Sequence, residues 1–201
     1  MDDCYKLSAF LDARRVLRVL DIGAHVGCFA LRIAELCPRA TIECYEPSPT
    51  SFSFLRDNIV QNRLQGRVQA HPQAVTSDAG PVTLADSGSA DPGNRIVGSA
   101  PQAPHTIQVE SVPLYQLLAQ AYPPFDVVKL DCEGSEYPAI LNSSPDVWRS
   151  VQRVVLEYHP VPGHTWNDLA AWFRRAGYVE RDHVSSATQP GLGTVWLTRD
   201  A

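Results

Sequence analysis

Asp131 and Glu133 stand two residues apart at the end of one apolar run, and Glu157 and His159 stand two apart at the end of another, directly before Pro160. In an extended strand residues two apart share a face, so each pair is presented together where its strand runs out. Pro160 biases His159 away from helical geometry, which leaves the imidazole at the strand end. A group that titrates near neutrality suits a general base taking a proton from a hydroxyl as it attacks an electrophile. Asp131, Glu133, Glu157 and His159 also form a donor set for a divalent cation, which would lower a hydroxyl's pKa and orient it. No spacing among them is diagnostic, so no metal is assigned and the metal stays an open alternative. So does a plain reading of His159 as a surface histidine before a turn. Lys129, inside the strand leading to Asp131, needs a partner if buried and is read as paired with a nearby acid. Ser135 is read as a helix N-cap, with Glu136 explained by the dipole of the first turn.

The ligand for such groups is suggested by residues 16–27, Val-Leu-Arg-Val-Leu-Asp-Ile-Gly-Ala-His-Val-Gly. A short apolar run ends on Asp21 and breaks into a turn carrying Gly23 and Gly27. An amphipathic segment with Phe29, Ile33 and Leu36 follows, which makes the strand, turn and helix of a nucleotide-type unit. Gly23 lets a ligand lie against the main chain, and the helix start offers unpaired N–H groups to an anion. A dinucleotide fingerprint counted from Gly23 needs glycine at 25 and 28, but His25 and Cys28 stand there, which disfavours a pyrophosphate. An amino acid joined to a nucleoside suits the turn better. S-adenosylmethionine has that shape, and Asp21 is placed to reach its ammonium group, directly or through water. Glu46 ends the next extended run 25 residues on, followed by Pro47. That is the position from which a βαβ unit takes ribose hydroxyls. The plain alternatives are a structural turn and a polar residue leaving a strand.

These groups must be held by a scaffold, and length and composition bound it. With 201 residues and 44% hydrophobic content the chain suits one domain with a substantial core. A net charge of −5 gives no global positive field, and Arg14, Arg15 and Arg18 are flanked by acids, so no nucleic-acid partner is expected. No apolar run approaches the ~18 residues of a membrane span. The N-terminus, with Asp2 and Asp3, does not resemble a signal peptide. Cys4, Cys28, Cys37, Cys44 and Cys132 are odd in number and form no C-x-x-C pair. The last four sit in apolar contexts and are read as reduced, buried thiols in a cytoplasmic protein, with no zinc site.

Strands are expected at 16–21, 40–46, 67–75, 125–131, 151–158, 178–182 and 193–199, and helices at 27–37, 49–63, 112–121, 135–143 and 166–176. One helix between most strands implies a mainly parallel sheet covered on both faces. Leu169, Trp172, Phe173 and Ala176 form a core stripe, with Gly177 as the stop. Residues 86–105, rich in Gly, Pro, Ser and Ala, read as a long loop between antiparallel strands at 82–84 and 106–109. A loop of that length is a substrate-side lid, a binding loop or a disordered segment.

Three blocks together carry a more specific resemblance: Val19-Leu-Asp21-Ile-Gly23-Ala-His-Val-Gly27, Val128-Lys-Leu-Asp131-Cys-Glu133-Gly-Ser-Glu136 and Val155-Leu-Glu157-Tyr-His159-Pro160. In content, order and separation they resemble the FkbM family of class I S-adenosylmethionine-dependent methyltransferases, from about residue 16 onward. The resemblance implies a Rossmann-like α/β domain whose seven-stranded sheet runs 3-2-1-4-5-7-6, the last strand antiparallel. It implies methyl transfer, usually to the oxygen of a hydroxyl or carboxyl on a small-molecule natural product or sugar. Asp21, Gly23, Ala24, His25 and Gly27 would line the methionine end of the donor. Glu46, with Pro47 beside it, would hold the ribose, and Ala74 and Val75 would lie near adenine. Asp131 would sit beside the methyl-bearing sulfonium, while Glu133 and His159 would face the acceptor. One departure is that only about 15 residues precede the first strand, so N-terminal helices that grip the substrate are expected to be short or missing. The acceptor site is then open, completed by the 86–105 loop, or completed by a second subunit in a homodimer. Two rival readings are a nicotinamide-dependent oxidoreductase, which His25 and Cys28 oppose, and a non-catalytic nucleoside-binding module, which the intact turn and Glu46 oppose.

Overall fold

The computed structural model describes residues 5–11, 16–91, 93–97 and 105–199. Cys4, Arg14, Arg15 and residues 98–104 of the long loop lie outside them. The apolar runs form strands β1 (Arg18–Ile22), β2 (Thr41–Tyr45), β3 (Val68–His71), β4 (Ala74–Thr76), β5 (Gly80–Ala85) and β6 (Arg95–Ile96). They continue with β7 (Thr106–Pro113), β8 (Val127–Leu130), β9 (Arg153–Tyr158), β10 (Tyr178–Ser185) and β11 (Gly193–Arg199). The helices are α1 (Leu7–Phe10), α2 (Cys28–Leu36), α3 (Pro49–Gln61), α4 (Leu114–Gln120), α5 (Glu136–Leu141) and α6 (Trp166–Arg175), with a 3-10 turn at Pro145–Trp148.

The main sheet runs β3-β2-β1-β8-β9-β11-β10. β1 is parallel to β2 and β8, β2 to β3, and β8 to β9, whereas β11 is antiparallel to both of its neighbours. Counted along the chain, these seven strands follow the order 3-2-1-4-5-7-6. The total strand count differs, because β4, β7, β5 and β6 form a second, four-stranded sheet. The strand expected over 67–75 is therefore two strands in two sheets. Pro72 separates them, since it has no N–H to continue a ladder, and Ala74 and Val75 lie on the second sheet rather than closing the third strand of the first. β5 and β7 pair antiparallel across the long loop, with Leu84 opposite Ile107.

Strand alternation builds two cores, one on each face. Leu20, Val128, Val154 and Leu156 meet Tyr137, Ile140, Trp148, Leu169, Trp172 and Phe173 on one side. Val19, Val127, Val155 and Trp196 meet Leu7, Phe29, Ile33, Leu55 and Ile59 on the other. The expected α6 stripe is thus core, and Gly177 ends that helix with a φ of +84°. Among the described residues no helix is long and apolar enough to cross a membrane. The carboxyl ends of β1, β2, β8 and β9 gather at one edge, where Gly23, Glu46, Asp131 and His159 follow them. In an open parallel sheet that edge is where ligands bind.

Candidate active site

Gly23 follows β1 directly and is required there by close approach. Its φ is +71°, and a Cβ would lie 1.6 Å from the carbonyl oxygen of Asp131. The Gly23 and Ala24 N–H groups both donate to Tyr45 O at 3.0 Å, tying the turn to the end of β2. Beneath it, Asp21 and Lys129 are register partners on β1 and β8. Lys129 Nζ donates to Gly23 O at 2.6 Å and Ile22 O at 3.3 Å, and forms ion pairs with Asp21 Oδ1 at 3.3 Å and Asp131 Oδ2 at 3.4 Å. Burial opposes its charge, but Asp21 and Asp131 outweigh that and hold Lys129 well above the usual lysine range. The lysine is a buried tie between the turn and Asp131, as the pairing with an acid predicts.

Glu46 leaves β2 with both carboxylate oxygens engaged by main chain. Oε2 accepts from His25 N at 2.8 Å and Oε1 from Ser48 N at 2.8 Å. Each oxygen keeps a further lone pair for a ligand hydroxyl. Burial raises the Glu46 pKa against those two bonds. A cavity of about 290 Å³ runs from Glu46 and Pro47 past Gly23, Ala24 and His25 to Asp131, Glu133 and Glu157. Ala74, Val75, Leu84 and Ile96 give it an apolar wall. The long loop supplies Asp91, Asn94 and Arg95 to the same lining, and His25 Nε2 lies 3.3 Å from Ala90 O. Asn94 Nδ2 donates to Asp86 Oδ1 at 3.0 Å and to Ser48 Oγ at 3.3 Å, fastening this part of the loop to the start of α3.

At the other end Glu136, fully buried, accepts from Cys132 N at 2.7 Å and Gly134 N at 2.9 Å, and its Oε1 lies 3.1 Å from His159 Nδ1. That bond turns His159 Nε2 toward Glu133 at 3.4 Å, Glu157 at 3.8 Å and Asp131 at 3.9 Å. Glu133 is held in left-handed backbone at φ +54°, an uncommon conformation for a residue with a side chain. Burial disfavours the charged imidazole, yet bonds to Glu133 and Glu136 outweigh it and push His159 up to about 10. The free site therefore holds an imidazolium among carboxylates. Asp131, Glu133 and His159 offer one ligand atom each within 4.8 Å of one another, and a divalent cation held there would have to displace the His159 proton.

A model of the methyltransferase FkbM domain matches residues 21–180. The chain belongs to the FkbM methyltransferase family. That family is of S-adenosylmethionine-dependent methyltransferases, and the nicotinamide reading falls with it. The 31-O-demethyl-FK506 methyltransferase FkbM of Streptomyces tacrolimicus is 26% identical over 94% of this chain and 83% of its own length. Methyltransferase 1 of Beauveria bassiana is 24% identical over 78% of this chain and 69% of its own. Among solved structures, the methyltransferase FkbM of Methylobacillus flagellatus shares the fold with a TM-score of 0.60 at 12% identity, covering 90% of this chain. This chain spans 43% of that one's length. A Streptococcus pneumoniae methyltransferase solved with S-adenosyl-L-methionine has a TM-score of 0.58 at 13% identity, covering 99% of this chain and 73% of its own.

Within this FkbM-family site, Gly23, Ala24, His25, Glu46, Pro47, Ala74, Val75, Asp131 and Glu133 all line the cavity. Asp21 does not. It is fully buried and turned to Lys129, so it has no direct route to a ligand's ammonium group. Gly27 sits behind the turn, where a Cβ would come within 2.7 Å of Leu55 Cδ1. His159 lies behind Glu133 and Asp131 rather than in the lining. Ser135 makes no capping bond with its side chain, and Glu136 is a buried anchor for His159 rather than a dipole charge alone. Cys28 is exposed at the cavity instead of buried. Sequence reasoning missed Tyr5, Phe29 and the wall from β5 and β6. Only the Gly/Pro-rich loop gave a signal for any of these.

Proposed function

We propose that this chain transfers the methyl group of S-adenosylmethionine to the oxygen of a small-molecule hydroxyl. The observation that carries the reading is one continuous cavity with a backbone-braced carboxylate, Glu46, at one end and the Asp131, Glu133 and Glu157 carboxylates at the other. The first fits a ribose diol, the apolar wall of Ala74, Val75, Leu84 and Ile96 fits a nucleobase, and the acidic end fits a cationic centre. When bound, the donor supplies an already activated methyl group, so positioning and a proton acceptor are what remain for the protein. Asp131 stands beside the cationic centre. Glu133 receives the acceptor's proton, and His159, braced by Glu136, holds Glu133 and spreads the resulting charge. A carboxylate acceptor would meet three carboxylates offset by only the two cations Lys129 and His159, which favours a hydroxyl. The Streptomyces tacrolimicus relative, described as a 31-O-demethyl-FK506 methyltransferase, supports oxygen as the acceptor and a natural product as its bearer.

A second reading adds a divalent cation held by Asp131, Glu133 and His159, supported by the convergence of their donor atoms. It would polarise the same hydroxyl. Isothermal titration with S-adenosylhomocysteine tests the donor site. A mass-shift screen of hydroxylated sugars, polyketides and carboxylic acids, with EDTA or with added magnesium, then tests the acceptor and the cation. Methyl esters formed in preference to ethers would overturn the hydroxyl reading, and activity indifferent to EDTA would remove the cation.

A further inference from the structure

The segment ahead of β1 reaches into the cavity. Tyr5 donates its hydroxyl to Asp131 Oδ2 at 3.0 Å, across 126 positions of sequence, and its ring meets Phe29 edge-on at 5.5 Å. Tyr5 O accepts from Trp196 Nε1 at 2.6 Å. The next residue, Lys6, pairs with Asp182 at 2.5 Å and lies over the Trp196 ring at 5.0 Å, and Leu7 is sunk in the core of α2 and α3. Three successive residues are thus pinned to the body of the domain. Tyr5, Lys6, Asp182 and Trp196 all lie outside the stretch matched by the family model.

The consequence falls on Asp131. Its Oδ2 has two partners, the Tyr5 hydroxyl and Lys129 Nζ at 3.4 Å, while Oδ1 lies 3.9 Å from His159 Nε2. The terminal torsion of an aspartate is broad, so a carboxylate without such a tether turns freely. Binding one oxygen from the side of the N-terminal segment fixes the direction of the other. The Tyr5 and Phe29 rings, 5.9 and 6.0 Å from Lys129 Nζ, also bracket the ammonium that supplies the second tether. Burial raises the Tyr5 phenol far above its ordinary range, so it stays a donor at neutral pH.

We propose that Tyr5 is a positioning residue for methyl transfer, holding Asp131 Oδ2 and so fixing how the Asp131 carboxylate is presented to the cationic centre of the donor. The proposal rests on the reading of the cavity as the S-adenosylmethionine site. It can be tested without an acceptor by comparing S-adenosylhomocysteine with sinefungin, whose ammonium-bearing carbon replaces the methyl sulfonium. The ratio of their dissociation constants reports how well a carboxylate is aimed at that charge. By isothermal titration, Tyr5→Phe is expected to cut the preference for sinefungin about threefold to tenfold, and Asp131→Asn at least as far. Adding Tyr5→Phe to Asp131→Asn should then change nothing further. Tyr5→Phe keeps the ring on Phe29. Tyr5→Leu, which also lacks the hydroxyl, must move the ratio the same way. An unchanged ratio, equal weakening of both ligands, or additive effects in the double variant would each overturn the proposal, since a merely structural role predicts them. If the wild-type protein binds neither ligand, it is the donor-site reading that fails.

Discussion

Lys129→Met removes a charge while nearly keeping the side chain's length, and the structure sets the size of the effect. Asp21 is fully buried, and with the ammonium gone the long contact from Cys44 Sγ at 4.0 Å does little to compensate its charge. Removing one partner of a buried ion pair costs about 3–5 kcal/mol. In a domain of this size that lowers the melting temperature by roughly 6–20 °C. The variant also loses the bond to Gly23 O, so S-adenosylhomocysteine should bind more weakly as the turn loosens. Urea unfolding followed by circular dichroism measures the stability, and repeating it at low pH tests the cause. Burial raises the pKa of Asp21, and in the wild type Lys129 opposes that rise. Without the lysine the folded-state pKa lies further above the unfolded value, so the native state binds more protons and gains stability as pH falls. The deficit of Lys129→Met should therefore be smaller at pH 5 than at pH 7. Combining it with Asp21→Asn, which removes the stranded charge, should restore part of the loss. A deficit under about 1 kcal/mol at pH 7, or a double variant no better than the single, would refute the buried tie.

Glu46→Gln can accept only one of the two N–H groups that brace the carboxylate, so S-adenosylhomocysteine should bind about 10- to 100-fold more weakly by calorimetry. An unchanged constant removes the ribose role. Gly23→Ala places a methyl group 1.6 Å from Asp131 O and is expected to yield no stably folded protein, and a normal melting curve would contradict that contact. His159→Ala should lower turnover by roughly 10²-fold while leaving S-adenosylhomocysteine affinity nearly intact. Equal loss of both would make His159 structural.

The glycine turn was legible because its requirement is local. No side chain survives where Gly23 meets Asp131 O, and that constraint is written in one residue type. Glu46, Asp131 and His159 were legible through the position of strand ends, which alternation and spacing locate well. The pairing of Lys129 with an acid was legible too, since a buried ammonium in an apolar strand needs one. That the acid includes Asp21, and so turns Asp21 away from the cavity, depends on β1 and β8 being neighbours and in register, a fact of topology. The fate of 67–75 turned on Pro72, which reads as an interruption only once a second sheet exists for Ala74 and Val75 to join. Tyr5 carried no local mark, and the mark on Glu136 pointed to the helix dipole rather than to His159. Their partners are set by folding over long distances, and a tyrosine near a chain start looks like any other.

The contact between Tyr5 and Trp196 joins residues 191 positions apart, and Trp196 sits on β11, the last strand of the main sheet to be synthesised. A nascent chain can build the glycine turn, the Glu46 brace and the histidine cluster, and can seat Leu7 against α2 and α3, before Trp196 is present to take the Tyr5 carbonyl. One of the bonds that holds Tyr5 beside Asp131 is therefore closed only when β11 joins the sheet.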